Sequence, residues 1–401
     1  MRCNAQRIVP LALGFFGVAL LAGCLSTASA ESEQGRKRLR ELGIAIGQYQ
    51  PGPLNAITDV AGVKVGHRTR ISGEGPLKPG EGPVRTGVTV IVPRDDVWHQ
   101  KVPAGAFVLN GTGEMTGLAW VSESGFLEYP IALTNTLNVP RVANGVMSWM
   151  IQRYPEIGIT DDTLTPVVAE CDDSRLNDSQ GRHVSEQDVI AALDSATSGP
   201  VQEGAVGAGT GMVSYGFKGG IGTSSRKLSD KEGGYTVGVL VNANHGRRPE
   251  LAMNGVPVGR LYEPPTQVSK VLSSGQSEGS IIIVIATDAP LDSRQLTRIA
   301  KRAALGLART GSTARHGSGD FMLAFSTANV IPHYPKEPTY PMTHLADTHL
   351  NPLISATVEA TEEAILNALT MATTVIGRDG HRAEAIDLGR LTTLLSGLRN
   401  N

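Results

Sequence analysis

The run Ser280-Ile-Ile-Ile-Val-Ile-Ala-Thr287 constrains this chain more than any other feature. It is apolar, largely β-branched and bounded by polar residues, so it reads as a strand in the middle of a core. The polar segment Leu272-Ser-Ser-Gly-Gln-Ser-Glu-Gly279 precedes it and reads as an exposed loop, which puts the Ser280 hydroxyl where loop becomes strand. Other strands are expected at Val60–Val65, Gly87–Val92, Ala104–Leu109, Thr165–Glu170, Tyr235–Val241 and Phe321–Thr327. Helices are expected at Gly35–Leu42, Val142–Arg153, Ser185–Leu193, Ser293–Ala308 and Pro352–Met371. Val142, Val146 and Met150 recur at intervals of four, and Ser185 with Asp188 suits a capping box. Strands sandwiched by helices make this an α/β chain. No repeat and no low-complexity linker divides it, so one domain fits although the length admits more.

Residues 1–30 follow a separate logic. Arg2 and Arg7 precede an apolar stretch from Ile8 to Ala22 that is short for a permanent membrane span, as in an export signal. Two cleavage sites compete: Leu21-Ala-Gly-Cys24 resembles a bacterial lipobox, and Ala28-Ser-Ala30 resembles an ordinary small-x-small site. The lipobox is preferred, giving a signal over 1–23 and a lipid on Cys24, with cleavage after residue 30 as the alternative. The expectation is an exported, periplasmic protein tethered through lipid to the outer membrane, Leu25 after the cysteine favouring that sorting.

Charge and cysteine count exclude several classes. A formal charge of -2, more negative once Arg2 and Arg7 leave, does not suit a phosphate-tracking surface, and the basic run Arg36–Arg40 reads as a solvated helix face. Nucleic acid is therefore not an expected partner. Cys3 leaves with the signal and Cys24 carries lipid, so Cys171 alone remains in the folded body and no disulfide framework is possible. Without Cys-x-x-Cys or His-Glu-x-x-His, and with His344 and His349 five apart, no metal and no cofactor are expected.

The chemistry gathers at strand mouths. Gly279 tolerates a strained backbone, and from such a geometry the Ser280 hydroxyl can attack the Gly279 carbonyl to give an ester that water hydrolyses. The product is a terminal serine whose α-amine, with a reference pKa of about 7.7–8.0, places a base beside its own hydroxyl. Gly275-Gln-Ser-Glu-Gly279 also matches the Gly-x-Ser-x-Gly elbow of hydrolases, but a polar loop before it and a strand after it invert the required context. His316-Gly-Ser-Gly-Asp320 leads into the strand at Phe321, and period two puts Ser318 and Asp320 on one face. The strand Val237–Val241 ends in Asn242-Ala-Asn244, where an amide can donate to a developing oxyanion. Glu170 and Asp172 share a face and suit a substrate ammonium. Gly204–Gly211 lacks the spacing of a nucleotide loop and reads as close backbone packing near the site.

With these residues assembled, the chain from about Gly35 onward resembles the L-aminopeptidase/D-esterase family, which includes the beta-peptidyl aminopeptidases. The resemblance rests on Leu54–Val60, Asn110–Gly117, Leu133–Thr136, Gly204–Met212, Val237–Asn244, Gly279–Leu291 and Gly317–Asn329. It implies a four-layer alpha/beta/beta/alpha sandwich, similar to N-terminal-nucleophile hydrolases but with different strand connectivity. It further implies self-cleavage before Ser280, giving an α chain over 24–279 and a β chain over 280–401 of one peptidase domain. Carried over, Ser280 is the nucleophile, Ser318 and Asp320 support it, Asn244 donates to the oxyanion, and Glu170 holds the substrate amine. Asp172-Asp-Ser174 departs from the aromatic residue expected nearby in some relatives, and its extra negative charge favours cationic substrates.

The expected activity is release of N-terminal residues from small peptides, amides or esters through an acyl-enzyme on Ser280, in a homo-oligomer of cleaved units. An acyltransferase of the ornithine acetyltransferase type is the enzymatic alternative, opposed by a serine where that family has threonine. A catalytically silent, lipid-anchored envelope binding protein is the other.

Overall fold

In the computed structural model, which describes residues 35–262 and 279–397, apolar alternation is resolved into two stacked sheets. In chain order the strands are β1 (Lys64–Ser72), β2 (Val84–Val92), β3 (Gln100–Gly111), β4 (Phe126–Leu127), β5 (Ile131–Thr134) and β6 (Val167–Glu170). They continue as β7 (Val213–Ser214), β8 (Phe217–Lys218), β9 (Gly220–Lys227), β10 (Thr236–His245), β11 (Gly279–Thr287), β12 (Gly319–Ser326) and β13 (Ile331–Pro332). The helices are α1 (Leu118–Ser124), α2 (Val139–Arg153), α3 (Glu186–Asp194), α4 (Val258–Leu261), α5 (Ser293–Arg309), α6 (Leu350–Thr370) and α7 (Leu388–Gly397).

One sheet has the order β1-β2-β5-β6; the other runs β13-β3-β12-β11-β10-β9, with β4 added beside β3. Strand β11 is central, antiparallel to β10 and parallel to β12. Its two faces feed different cores. Ile282 and Val284 meet Val88, Val90, Leu133 and Val168 of the facing sheet, whereas Ile281, Ile283 and Ile285 meet Ile299 and Leu307 of α5 and Ala364 of α6. That is why the run is apolar at every position: it is buried on both sides. On the far side of the smaller sheet, α2 and α3 bury Val142, Val146, Met150, Val189 and Leu193. The layers are helix, sheet, sheet, helix, as expected. No helix among the described residues is long and apolar enough to cross a membrane.

Several boundaries differ from the sequence reading. The first long strand begins at Lys64 rather than Val60, because residues 60–62 close a turn in which Val63 donates to the Val60 carbonyl. Of the expected first helix, Leu39–Leu42 forms a single 3₁₀ turn and residues 36–38 are not helical. The basic run around it is not a solvated face. Arg36 donates to the Ile386 carbonyl at 3.0 Å, Arg38 to the Asn55 and Thr223 carbonyls at 2.7 and 2.6 Å, and Arg40 pairs with Glu363 at 2.9 Å. These arginines stitch the amino-terminal segment onto β9 and α6. The capping box at α3 forms as expected, Ser185 Oγ accepting from the Asp188 N–H and Asp188 Oδ2 from the Ser185 N–H at 2.9 Å.

Candidate active site

The ends of β10, β11 and β12 converge, and the register fixes which residues meet. Ser280, the second residue of β11, lies directly opposite Asn244 of β10 and beside Gly319 of β12, so Ser318 and Asp320 flank the position next to it. Ser280 is buried, and so are Asn244, Ser318 and Asp320. Gly279, at φ +82°, lies opposite His245; a Cβ there would stand 2.0 Å from the Asn244 carbonyl oxygen, so no other residue fits this approach without displacement.

The Ser318 hydroxyl donates to Asp320 Oδ1 at 2.7 Å, and Asp320 Oδ2 is buried without a partner. Burial pushes the Asp320 carboxyl up to about 6, against the lowering effect of the Ser318 bond. The pair can therefore exchange a proton near neutral pH and has one oxygen to offer a cation. The Asn244 amide is clamped between two main-chain segments: its oxygen accepts from the Val213 N–H at 2.8 Å, and its nitrogen donates to the Asp172 carbonyl at 2.9 Å. A carboxamide nitrogen carries a second hydrogen, which such a clamp aims rather than uses.

Glu170, at the end of β6 on the facing sheet, accepts from the Glu114 N–H at 3.0 Å and from the Thr136 hydroxyl. Burial raises its carboxyl, those two donors lower it, and the nearby Asp172 and Glu114 charges raise it again. Asp172 lies near enough for its charge to act on Glu170, and its carboxylate is fixed locally. Both of its oxygens turn back to Ser174, accepting from the N–H at 2.8 Å and the hydroxyl at 2.9 Å. Its backbone carbonyl, by contrast, is part of the Asn244 clamp.

Three residues enter that sequence reasoning did not assign to the site. Cys171 Sγ donates to the Asn242 carbonyl at 3.5 Å and lies within hydrogen-bonding reach of the Ser280 side chain, with burial pushing its thiol well up. Thr136 fixes one Glu170 oxygen, and its only earlier signal was its place in the Leu133–Thr136 segment. Lys218, fully buried, donates from Nζ to the carbonyls of Gly209, Met212 and Gly219 at 2.8, 2.8 and 2.9 Å. Burial lowers its ammonium to about 7, and the Asp173 charge raises it in part. The glycine-rich stretch from 204 is thus packed backbone beside the site, as read.

Asp161, Asp162 and His333 form, among the described residues, a group whose ligand atoms lie within 4.8 Å of one another. Asp161 already accepts from the Trp98 indole at 2.8 Å, from His333 at 2.8 Å and from the Tyr334 hydroxyl, so its oxygens are occupied by protein donors. Cys24, the export signal and residues 275–278 of the elbow-like sequence lie outside the described residues.

The sequence matches peptidase family S58 over residues 55–383. It is 46% identical over 384 residues to the beta-peptidyl aminopeptidase BapA of Sphingosinicella xenopeptidilytica, covering 94% of this chain and 95% of the relative. The BapA of Sphingosinicella microcystinivorans is 42% identical over 391 residues, covering 95% and 97%. Among solved structures, the L-aminopeptidase D-Ala-esterase/amidase of Ochrobactrum anthropi, described as a prototype for the serine aminopeptidases and a new variant of the Ntn hydrolase fold, superposes with a TM-score of 0.83. It is 42% identical and covers 90% of this chain and 99% of its own.

Proposed function

The chain belongs to peptidase family S58 and is an aminopeptidase, and from that premise we propose that it cuts its own backbone between Gly279 and Ser280 and then works through the Ser280 hydroxyl. The observation that carries this is the strand mouth itself. A glycine at φ +82° precedes a buried serine held between Asn244 on one side and the Ser318–Asp320 pair on the other.

In self-cleavage, Ser280 Oγ bonds to the Gly279 carbonyl carbon, the Gly279–Ser280 C–N bond breaks, and the hydroxyl proton passes to the leaving amine. Water then hydrolyses the ester. In turnover, the freed amine takes the Ser280 proton as the hydroxyl attacks a substrate carbonyl. The unpartnered Asp320 Oδ2 stabilises that amine once it is charged. The second Asn244 N–H donates to the tetrahedral oxyanion, and Glu170 takes the substrate's ammonium, which restricts cleavage to the first residue. Small peptides, amides and esters are the proposed substrates. The beta-peptidyl relatives make a β-amino-acid amide the first to try.

We further infer export under the amino-terminal segment, lipid on Cys24 with periplasmic residence, and assembly of cleaved units into a homo-oligomer; Arg2, Arg7 and the Leu21–Cys24 sequence support the first two. A denaturing gel with mass spectrometry tests the whole reading. Two fragments, 24–279 and 280–401, are expected from the wild type, and one unsplit, inactive chain from Ser280→Ala. An active protein with an intact 279–280 bond would overturn it.

A further inference from the structure

The amide that the proposed mechanism points at the oxyanion is not set by its own strand alone. Asn244 Oδ1 is held by the N–H of Val213, two residues after the glycine-rich stretch. That stretch has few side chains with which to fix itself, and its last turn is pinned instead from one direction. Lys218 reaches back from β8, where it lies opposite Val213, and its three ammonium hydrogens meet three carbonyls, those of Gly209, Met212 and Gly219. The Gly219 N–H adds a bond to the same Met212 carbonyl at 3.0 Å. The lysine is itself anchored by its backbone N–H on the Glu384 carbonyl at 2.7 Å.

We propose that Lys218 is a positioning residue for the oxyanion donor: by tying down the turn that ends at Met212, it fixes the Val213 N–H and through it the direction in which Asn244 presents its free amide hydrogen. The inference rests on the reading of Asn244 as that donor. A fully buried ammonium is expensive unless every hydrogen finds an acceptor, and a methionine of similar length would fill the same space without carrying charge. Simple packing therefore does not require a lysine here. Two carbonyls of the turn, those of Gly209 and Met212, meeting the Gly219 carbonyl at one point do, because the backbone N–H groups of Met212 and Gly219 give Gly209 and Met212 one bond each but leave the three dipoles facing one another without a shared donor.

A double-mutant cycle on the split enzyme tests this, with β-alanine p-nitroanilide as substrate and complete splitting checked on a gel. Asn244→Ala is expected to lower kcat by roughly 10²–10³. Lys218→Met is expected to lower kcat by roughly ten- to a hundredfold with KM within about twofold. The double variant is expected to be no slower than Asn244→Ala, since the lysine acts only through that amide. If Asn244→Ala leaves kcat unchanged, the oxyanion reading fails and the inference with it. If Asn244→Ala slows the enzyme but the Lys218→Met loss multiplies with it, or falls on KM, the inference alone is overturned. Should the methionine variant not fold or split, Lys218→Gln, which keeps two donors, replaces it in the same cycle with the same readings.

Discussion

At Asp320 burial sets a titration and a single hydrogen bond trims it. Its carboxyl is pushed up to about 6 by burial and pulled down by the Ser318 hydroxyl, and the proposed mechanism uses the ionised form. Activity should therefore need pH above about 6, where the proton leaves Asp320, and rise further as the terminal amine of Ser280 loses its own proton. Ser318→Ala removes a donor that favours the charged form, so the acid limb of kcat/KM against pH should move to higher pH. A limb that stays in place, or moves down, would detach Ser318 from that titration. How far such residues were legible depended on where they stand. Ser280, Asn244 and Asp320 each lie where an apolar run meets a polar turn, a boundary that can be found from one strand at a time. Cys171, Thr136 and Lys218 reach the site across sheets or loops, through register that only the assembled fold supplies. What the sequence does not show for Asp172 is local: a serine two residues on fixes both of its carboxylate oxygens.

Strand β9 shows what periodicity misses at the level of elements. Its sequence, Gly-Ile-Gly-Thr-Ser-Ser-Arg-Lys, has no apolar alternation, yet seven of its eight residues are buried. Thr223 and Ser224 satisfy their hydroxyls on the Val239 and Ala360 carbonyls, which lets polar residues line a core strand. Gly222 permits the closest approach: a Cβ there would lie 2.0 Å from the Ala364 carbonyl oxygen of α6. Gly222→Ala should force α6 away from the sheet and destabilise the fold by about 1–3 kcal/mol, read as a lowered melting temperature. An unchanged melt would mean the helix slides freely over β9. By contrast β11, α2, α3, α5, β12 and α6 were visible from the sequence within a few residues, because each carries its own apolar signal, a continuous run in β11 and β12 and a helical one in the helices.

Across the whole molecule, a buried ionic knot joins the amino-terminal segment, β9 and α6. Arg226 is fully buried and pairs with Glu359 at 3.3 Å and Glu363 at 2.8 Å, while Arg40 reaches the same Glu363. Arg226→Met should leave two interior carboxylates short of a counter-charge and cost about 3–5 kcal/mol, seen as a large drop in the urea midpoint. A midpoint close to wild type would show that Arg40 suffices for both. The order of the larger sheet carries a consequence of another kind. Its strands β3, β10 and β9 precede residue 279, whereas β11 and β12 follow it and sit between them. A break at that bond would yield two polypeptides threaded through one another, each supplying the other's neighbours. Neither could depart while the shared sheet survived, so the nicked protein should melt as one body and its pieces should come apart only in denaturant.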